Sequence, residues 1–331
     1  MQPPSWARLG PMAGPQTPMV VWHKPGIVPL RPLQLGDILD GAVKAIRFNP
    51  KSMVGLSAIV LAVFLIPSAA MGAGATHLAS TSLSRLGPEA EVFLVYPALL
   101  VQNVFTAFAT AILSGLLVYV VGQAVIGRKP GISATWRATR GRVRSLLGLM
   151  ILSFLFTLLS LVLLIGSGVL LLVNNATTAG VIVTLLGVLG FFVLAVVIST
   201  KIALAAPAIV LEGHGVISGL RRSFALTKGA FWRVLGISLL ASVLAGLVGA
   251  LLGLPFSGAG AAVGLLSGQG NESGVIFQTF VTHLSGLLTG AITTPFVAAV
   301  TGLLYIDRRM RLEALDVILI RESQSNSAPP L

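Results

Sequence analysis

The sequence of 331 residues contains no cysteine and few charged side chains, and both shortages narrow what the protein can be. Without cysteine there is no disulfide framework, no thiol chemistry and no cysteine-ligated metal. Charged residues make up 10% of the chain, whereas they make up about a quarter of a typical soluble domain. Apolar residues make up 55%. This balance predicts an integral membrane protein.

Six apolar segments are long enough to cross a bilayer, whose hydrocarbon core of about 30 Å requires about 20 helical residues. They run over residues 52–73, 92–121, 146–173, 180–206, 234–254 and 275–306. A shorter amphipathic helix precedes the first of them, and Asn49-Pro50 is a signal both to end that helix and to start the next. We therefore predict an all-α integral membrane protein with six transmembrane helices.

Two tails flank this predicted membrane domain. Residues 1–32 contain eight of the 18 prolines and no apolar run, a composition typical of a disordered cytoplasmic tail. Residues 321–331 are predicted to form a second disordered tail. The six-helix membrane domain then covers residues 33–320.

The lysines and arginines fall on one side of the predicted topology. Of the 22, all but Arg85 lie in the terminal regions or in the second and fourth connections. Because cytoplasmic loops are enriched in Lys and Arg, both termini are predicted to be cytoplasmic. The net charge of +12 then belongs to this face rather than to a nucleic-acid site. The prevalence of Ala, Gly, Val and Leu, with Arg far more frequent than Lys, favours a bacterial protein, and we therefore expect a bacterial plasma membrane.

One pattern occurs three times along the chain: a basic amphipathic segment followed by two apolar segments. Each copy has a cation eight residues before a glycine, and the pairs are Arg47/Gly55, Arg140/Gly148 and Lys228/Gly236. Short, charged amphipathic helices lie at the membrane surface rather than crossing it. We predict three repeats of a basic interfacial helix plus a helical hairpin.

Ten carboxylates and four histidines are the whole inventory for acid–base or metal chemistry. No carboxylate lies deep in an apolar segment, which counts against an ion-coupled pump. Lys201 is the only cation in such a segment, and its position near the end favours snorkelling to the headgroups. Glu212 and His214 are neighbours, but a metal site or an enzyme needs a further acid or histidine beside them. We predict no catalytic residue, no metal and no cofactor.

Uncharged polar residues lie deep in the second and sixth apolar segments. They are Gln102, Asn103 and Thr106 in the second, and Gln278, Thr282, His283, Ser285 and Thr289 in the sixth. One interpretation is packing, with polar side chains bonding across a helix contact. The other is an intramembrane polar cleft between these two helices that holds a lipid or other amphiphile. The sequence leaves both open.

The basic segments also have two interpretations. Their charge orients the protein in the membrane without any further function. Alternatively, they bind anionic lipid headgroups or an acidic partner, since each Lys or Arg near an anionic surface contributes about 1 kcal/mol. The candidate headgroup-binding residues are Arg137, Arg140, Arg142, Arg144, Arg221, Arg222, Lys228 and Arg233.

Three stretches carry a resemblance to a known family. They are LRPLQLGDILDGAVKAIRFNPKSMVG, LRRSFALTKGAFWRVLG and LLYIDRRMRLEALDV. They resemble actinobacterial members of the membrane domain associated with glycerophosphoryl diester phosphodiesterases, over residues 30–317. The resemblance implies the membrane module alone, because the His and carboxylate metal ligands of the separate catalytic barrel have no counterpart here.

Two functions follow as hypotheses. The first is a non-enzymatic polytopic membrane module that engages anionic phospholipid, or a protein partner in the envelope, through its basic interfacial helices. The alternative is a carrier or channel for a lipid or amphiphile through the cleft between helices two and six. Membrane lipids, with anionic ones preferred, are the expected partners in both cases.

Overall fold

The computed structural model describes residues 26–78, 88–267 and 272–314, and within them every regular element is helical. The helices are α1 (Leu35–Phe48), α2 (Pro50–Leu78), α3 (Pro88–Val125), α4 (Ile132–Thr139), α5 (Val143–Leu161), α6 (Ser167–Val173), α7 (Thr177–Ile202), α8 (Ala205–Glu212), α9 (Val216–Thr227), α10 (Phe231–Ser267) and α11 (Glu272–Glu313). A 3-10 turn, Arg140–Arg142, links α4 to α5, and a π-helical turn, Val162–Gly166, links α5 to α6.

Six helical stretches are long and apolar enough to cross a membrane, which confirms the prediction of a multi-pass helical protein. They are Pro50–Gly74, Gln102–Val125, Ile132–Val173, Thr177–Glu212, Phe231–Val263 and Ile276–Glu313. The predicted boundary at Asn49-Pro50 is also confirmed, since α1 ends and α2 begins there. Asn49 caps α2 by accepting the Ser52 N–H at 3.3 Å.

The first, second and sixth spans form the interior of the bundle. Between 39% and 44% of their most apolar stretches is buried, against 11% and 6% for the third and fourth spans. Leu113 and Leu117 of α3 and Leu303 of α11 are fully buried in this interior. The third and fourth spans therefore form a peripheral hairpin that leaves most of its apolar surface exposed.

Two glycines allow the peripheral hairpin to close on itself. A Cβ at Gly187 of α7 would lie 1.9 Å from the Leu164 carbonyl oxygen. A Cβ at Gly168 of α6 would lie 2.3 Å from the Thr184 hydroxyl oxygen. Neither position has space for a side chain, so glycine at these two positions permits the close contact between the third and fourth spans.

All lysines and arginines of the described residues lie at one end of the bundle, which we call the basic end. It comprises residues 27–52, 126–145, 201–233 and 305–313. Hydrogen bonds join these parts. Asn49 Nδ2 donates to the Pro130 carbonyl at 2.8 Å, and Arg308 Nε donates to the Leu226 carbonyl at 2.9 Å. The amphipathic helices α1, α4 and α9 belong to this end.

A non-helical segment, residues 27–33, packs along the basic end. Ile27, Val28 and Leu33 are buried, and the Ile27 N–H donates to the Ala124 carbonyl at 3.3 Å. The predicted disordered tail includes residues 26–32, but in the structure the apolar side chains of these residues pack against the bundle. The rest of that tail, and the predicted tail at residues 321–331, lie outside the described residues.

The fourth span is interrupted at Ala203 and Leu204, between α7 and α8. Pro207 lacks an N–H and lies in the first turn of α8, the one part of a helix that tolerates it. Ser223 of α9 bridges the interruption, since its hydroxyl donates to the Lys201 carbonyl at 2.6 Å and accepts the Leu204 N–H at 3.1 Å. Regular helix therefore stops before the predicted end at residue 206, and α8 is an additional buried helix.

Two helices run further than the sequence predicts. The Gly- and Ser-rich residues 256–274 predict a connection, yet α10 continues to Ser267. Its small residues lie against α11, where a Cβ at Gly253 would be 3.4 Å from the Ser285 hydroxyl. Close packing thus stabilises a helix that glycine would weaken in water. At the other end, α11 continues past the predicted limit at Ile306 to Glu313.

The absence of natural cysteine permits a topology test without background labelling. Ala138→Cys in α4 lies at the basic end, whereas Thr178→Cys lies at the opposite end beside the turn between α6 and α7, and both positions are exposed. With a cytoplasmic basic end, a membrane-impermeant maleimide is expected to label T178C in intact cells and A138C only after permeabilisation. Labelling of A138C in intact cells would contradict the predicted orientation.

Candidate functional site

Asp307 is the centre of the first ionic cluster at the basic end. The extension of α11 past its apolar stretch places this carboxylate there with no solvent exposure. It accepts hydrogen bonds from Arg311 at 2.9 Å, from Arg233 at 3.1 Å and from the Leu33 N–H at 2.8 Å. Both arginines also donate to the Leu33 carbonyl, at 2.8 and 2.7 Å. One carboxylate thus joins α10, α11 and the segment that leads into α1.

Glu212, the last residue of α8, is the centre of the second ionic cluster. Gly213 follows it with a φ of 77° and turns the chain towards α9. Arg222 donates to both carboxylate oxygens of Glu212 at 3.0 Å, in the bidentate geometry that gives the strongest such pairs. Arg309 lies 3.1 Å from one of these oxygens, and the Tyr305 hydroxyl donates to it as well.

Glu313 extends the second cluster across α11. It lies 2.5 Å from Arg222 and 3.0 Å from Arg309. Burial alone would lower the pKa of Arg222, but hydrogen bonds to Glu212 and Glu313 outweigh burial and raise that pKa above its ordinary value. The guanidinium therefore stays charged, and the second cluster joins α8, α9 and α11.

The chemistry of the second cluster is that of an ion-pair network. His214 Nε2 lies 2.9 Å from Glu212, and Glu313 is the further acid that an enzyme or metal site would need beside this pair. Arg222 and Arg309, however, occupy both carboxylates. Within the part of the chain that the structure describes, no three His, Asp or Glu side chains are placed to hold a metal ion.

The predicted headgroup-binding cations separate into two groups. Arg222 and Arg233 belong to the ionic clusters and are half-buried. The other six make no ion pair with any described residue: Arg137, Arg140, Arg142, Arg144, Arg221 and Lys228. All of these except Arg142, which is half-buried, are exposed. Six of the eight predicted residues are therefore free to meet an external anion.

The predicted polar residues of the second span lie on the side of α3 that faces α5. Asn103 and Thr106 border a cavity of about 550 Å³ together with Leu149 and Ser153 of α5. Gln102 is half-buried, and its backbone carbonyl accepts the Thr106 hydroxyl at 3.0 Å. This cavity lies between the second and third spans.

The predicted polar residues of the sixth span have other neighbours. Three of them border a cavity of about 200 Å³ against α10: Gln278, Thr282 and Ser285. His283 Nε2 lies 3.3 Å from the Ser68 hydroxyl of α2, and the Thr289 hydroxyl donates to the backbone of its own helix. The two predicted sets thus border different cavities, and the contact of His283 with Ser68 is an interhelical polar contact of the packing kind.

Sequence reasoning missed the two ionic clusters. The predicted apolar segments end at residues 206 and 306, before Glu212 and Asp307, so the hydrophobic pattern does not predict that these acids are buried. A signal was available in the stretch YIDRRMRLE, where Asp307 and Arg311, and likewise Arg309 and Glu313, stand four residues apart as ion pairs on a helix do. The distant partners, Arg222 and Arg233, carry no such local signal.

Asp307→Asn tests the first cluster. Removing one partner of a buried ion pair costs about 3 to 5 kcal/mol, so D307N is expected to unfold at a clearly lower temperature in detergent. Asp40→Asn is the matched control, because Asp40 pairs with Lys44 in the exposed i,i+4 geometry, which is worth less than about 1 kcal/mol. Equal unfolding temperatures of D307N and D40N, followed by tryptophan fluorescence, would refute the role of Asp307.

Comparisons with known proteins add no relative to this picture. No family model, curated protein or solved structure matches the chain. The resemblance to the glycerophosphoryl diester phosphodiesterase membrane domain therefore stays a prediction from its motifs, and the candidate site is defined by its own geometry.

Proposed function

We propose that this protein is a non-enzymatic module of a bacterial plasma membrane that binds anionic phospholipid headgroups with its basic end. One observation carries the proposal. All carboxylates that the structure describes at the basic end are already in ion pairs: Asp37, Asp40, Glu212, Asp307 and Glu313. The six unpaired cations, Arg137, Arg140, Arg142, Arg144, Arg221 and Lys228, therefore present positive charge that no described carboxylate compensates.

Two tryptophans favour a lipid surface over an acidic protein as the counterpart of this charge. Trp136 of α4 and Trp232 of α10 are both exposed at the basic end, beside the cations. Tryptophan is enriched at membrane interfaces, where its ring meets the headgroup level. Each Lys or Arg within a Debye length of an anionic leaflet, about 8 Å at physiological ionic strength, contributes about 1 kcal/mol.

The arrangement of the helices is consistent with the three predicted repeats, which we retain as part of the proposal. A short amphipathic helix precedes a pair of spans three times: α1 before α2 and α3, α4 before α5 to α7, and α9 before α10 and α11. Each repeat would then bring one basic helix to the same membrane surface. Helix α8 is an addition to the last repeat.

We also retain the proposed kinship with the phosphodiesterase-associated membrane domain. The residues that carry the resemblance are in large part those that build the ionic clusters, including Arg222, Arg233, Asp307 and Arg309. A shared motif of this kind would preserve the architecture of a membrane module and would imply no reaction.

The alternative, a carrier or channel through a cleft between the second and sixth spans, has weaker support. Its polar residues on α3 and α11 border separate cavities, so no shared polar path between these two helices follows from them. Headgroup binding requires only the exposed cations already in place.

Neutralising the free cations tests the proposal. In a variant with Arg137, Arg140, Arg144 and Arg221 all changed to Gln, the enrichment of phosphatidylglycerol over phosphatidylcholine around the protein is expected to fall at least about tenfold, since four charges at about 1 kcal/mol each are removed. The measurement is mass spectrometry of lipids retained after solubilisation from vesicles containing equal amounts of both.

The matched control changes the same four arginines to Lys. This variant keeps the charge and is expected to retain most of the enrichment. If the Gln variant is folded and enriches phosphatidylglycerol as the natural chain does, the proposed function is wrong.

A further inference from the structure

A groove opens on the exposed side of the peripheral hairpin, between α5, α7 and α9. We call it the lateral groove. It has a volume of about 400 Å³, and its lining includes Phe156 and Ser160 of α5, Phe191 and Ala195 of α7, and Leu220 and Phe224 of α9. None of these residues was singled out by the sequence, because a uniformly apolar helix has no distinctive face.

The length of the lateral groove matches one leaflet of a bilayer. It extends along α7 from Ile202, beside the basic end, to Phe191. At 1.5 Å per residue these positions are separated by about 16 Å along the helix, and half of a hydrocarbon core is about 15 Å. The groove therefore runs from the headgroup level to about the bilayer midplane.

The hydroxyl groups in the lateral groove donate their hydrogens to their own helices. Ser153 donates to the Leu149 carbonyl at 2.8 Å, and Ser160 donates to the Phe156 carbonyl at 2.8 Å. Thr157 and Ser199 bond within their helices in the same way. A polar solute would thus lose its hydration without gaining a donor from these groups, whereas a hydrocarbon chain would lose nothing.

Lys201 stands at the basic-end mouth of the lateral groove, and a second cation, Arg221, is the chain neighbour of a lining residue. Lys201 Nζ lies 5.4 Å from the centre of the Phe224 ring, which itself lines the groove. Arg221 is exposed and follows directly after Leu220, another lining residue. Neither makes an ion pair with a described residue. An apolar slot with one unpaired cation at its mouth, and a second beside a lining residue in the sequence, is complementary to a hydrocarbon chain that ends in an anion.

We infer that the lateral groove holds an acyl chain of an anionic phospholipid from the surrounding leaflet, with the lipid phosphate at Lys201 and Arg221. This inference rests on the proposed function, since it requires the basic end to face anionic headgroups. The proposed function requires only that the basic end attracts anionic lipids. The inference adds a defined site that holds one lipid molecule.

Filling the lateral groove tests the inference. The protein is solubilised from vesicles of phosphatidylglycerol and phosphatidylcholine, washed with detergent, and its bound lipids are counted by native mass spectrometry. The natural chain is expected to keep one phosphatidylglycerol, and Ala195→Phe is expected to lower its occupancy about tenfold. Ala250→Phe is the matched control at an exposed alanine of α10, away from the groove, and it should keep the lipid.

Removing charge separates this site from the general attraction of the basic end. The double variant Lys201→Gln/Arg221→Gln is expected to bind one lipid with no preference for phosphatidylglycerol. The double variant Arg137→Gln/Arg140→Gln, with the same charge change on α4 and the turn that follows it, should keep the bound phosphatidylglycerol while total anionic enrichment falls. A folded A195F protein that keeps its phosphatidylglycerol would overturn the groove and leave the proposed function standing; unchanged total enrichment in the α4 variant would count against the proposed function.

A second readout covers the case in which Ala195→Phe does not fold. Phe191→Trp places a fluorophore in the groove, and chain-brominated phosphatidylglycerol is expected to quench its added emission, relative to the natural chain, more than brominated phosphatidylcholine does. Equal quenching by the two lipids would refute an anion-selective groove.

Discussion

A buried carboxylate holds the basic end together at the point where the last helix leaves the apolar bundle. A charge without solvent is costly unless donors surround it, and Asp307 is compensated by two guanidinium groups and one backbone N–H. These donors come from α10, from the next turn of α11 and from Leu33, so the charge is stable only when three distant parts of the chain meet. Glu212 imposes the same condition on α8, α9 and α11. Apolar packing between helices is non-directional. The ion pairs are directional, because they form only when particular residues of these helices meet.

The ionic clusters also determine where the remaining charge lies. Because every described carboxylate of the basic end is in an ion pair, the arginines of residues 137–144 and the exposed Arg221 of α9 have no described acid left to bind. The same ion pairs thus stabilise the fold and determine which cations remain unpaired at the surface. The paired arginines neutralise the acids, and the unpaired ones are left with a positive potential that an external anion can reduce. In a membrane protein the nearest such anions are phosphates of the adjoining leaflet.

The sequence was sufficient to predict the number of spans, because hydrophobic length is a local property. The same holds for the boundary at Asn49-Pro50, which is set by capping chemistry. The extension of α10 to Ser267 was not predictable from local propensity, since its glycines are stabilised by contact with α11. The ionic clusters were missed for a related reason: Leu33 and Asp307 are 274 positions apart. The sequence placed Gln278 and His283 together among the polar residues of the sixth apolar segment. It did not predict that His283 lies next to Ser68 while Gln278 borders a cavity against α10.

The lateral groove is a consequence of the same interruption that ends α7. After Leu204 the chain leaves the line of α7, and α8 packs on α3 rather than over the face that α5 and α7 share. Helix α9 covers that face only at the basic end, where Leu220 and Phe224 lie. Ser223 fixes this position, because its hydroxyl satisfies the backbone on both sides of the interruption. The neighbouring Phe224 is thereby held at the mouth beside Lys201. If the fourth span ran on without a break, α9 would not close this face at the basic end, and the proposed lipid site would have no mouth for a charged headgroup.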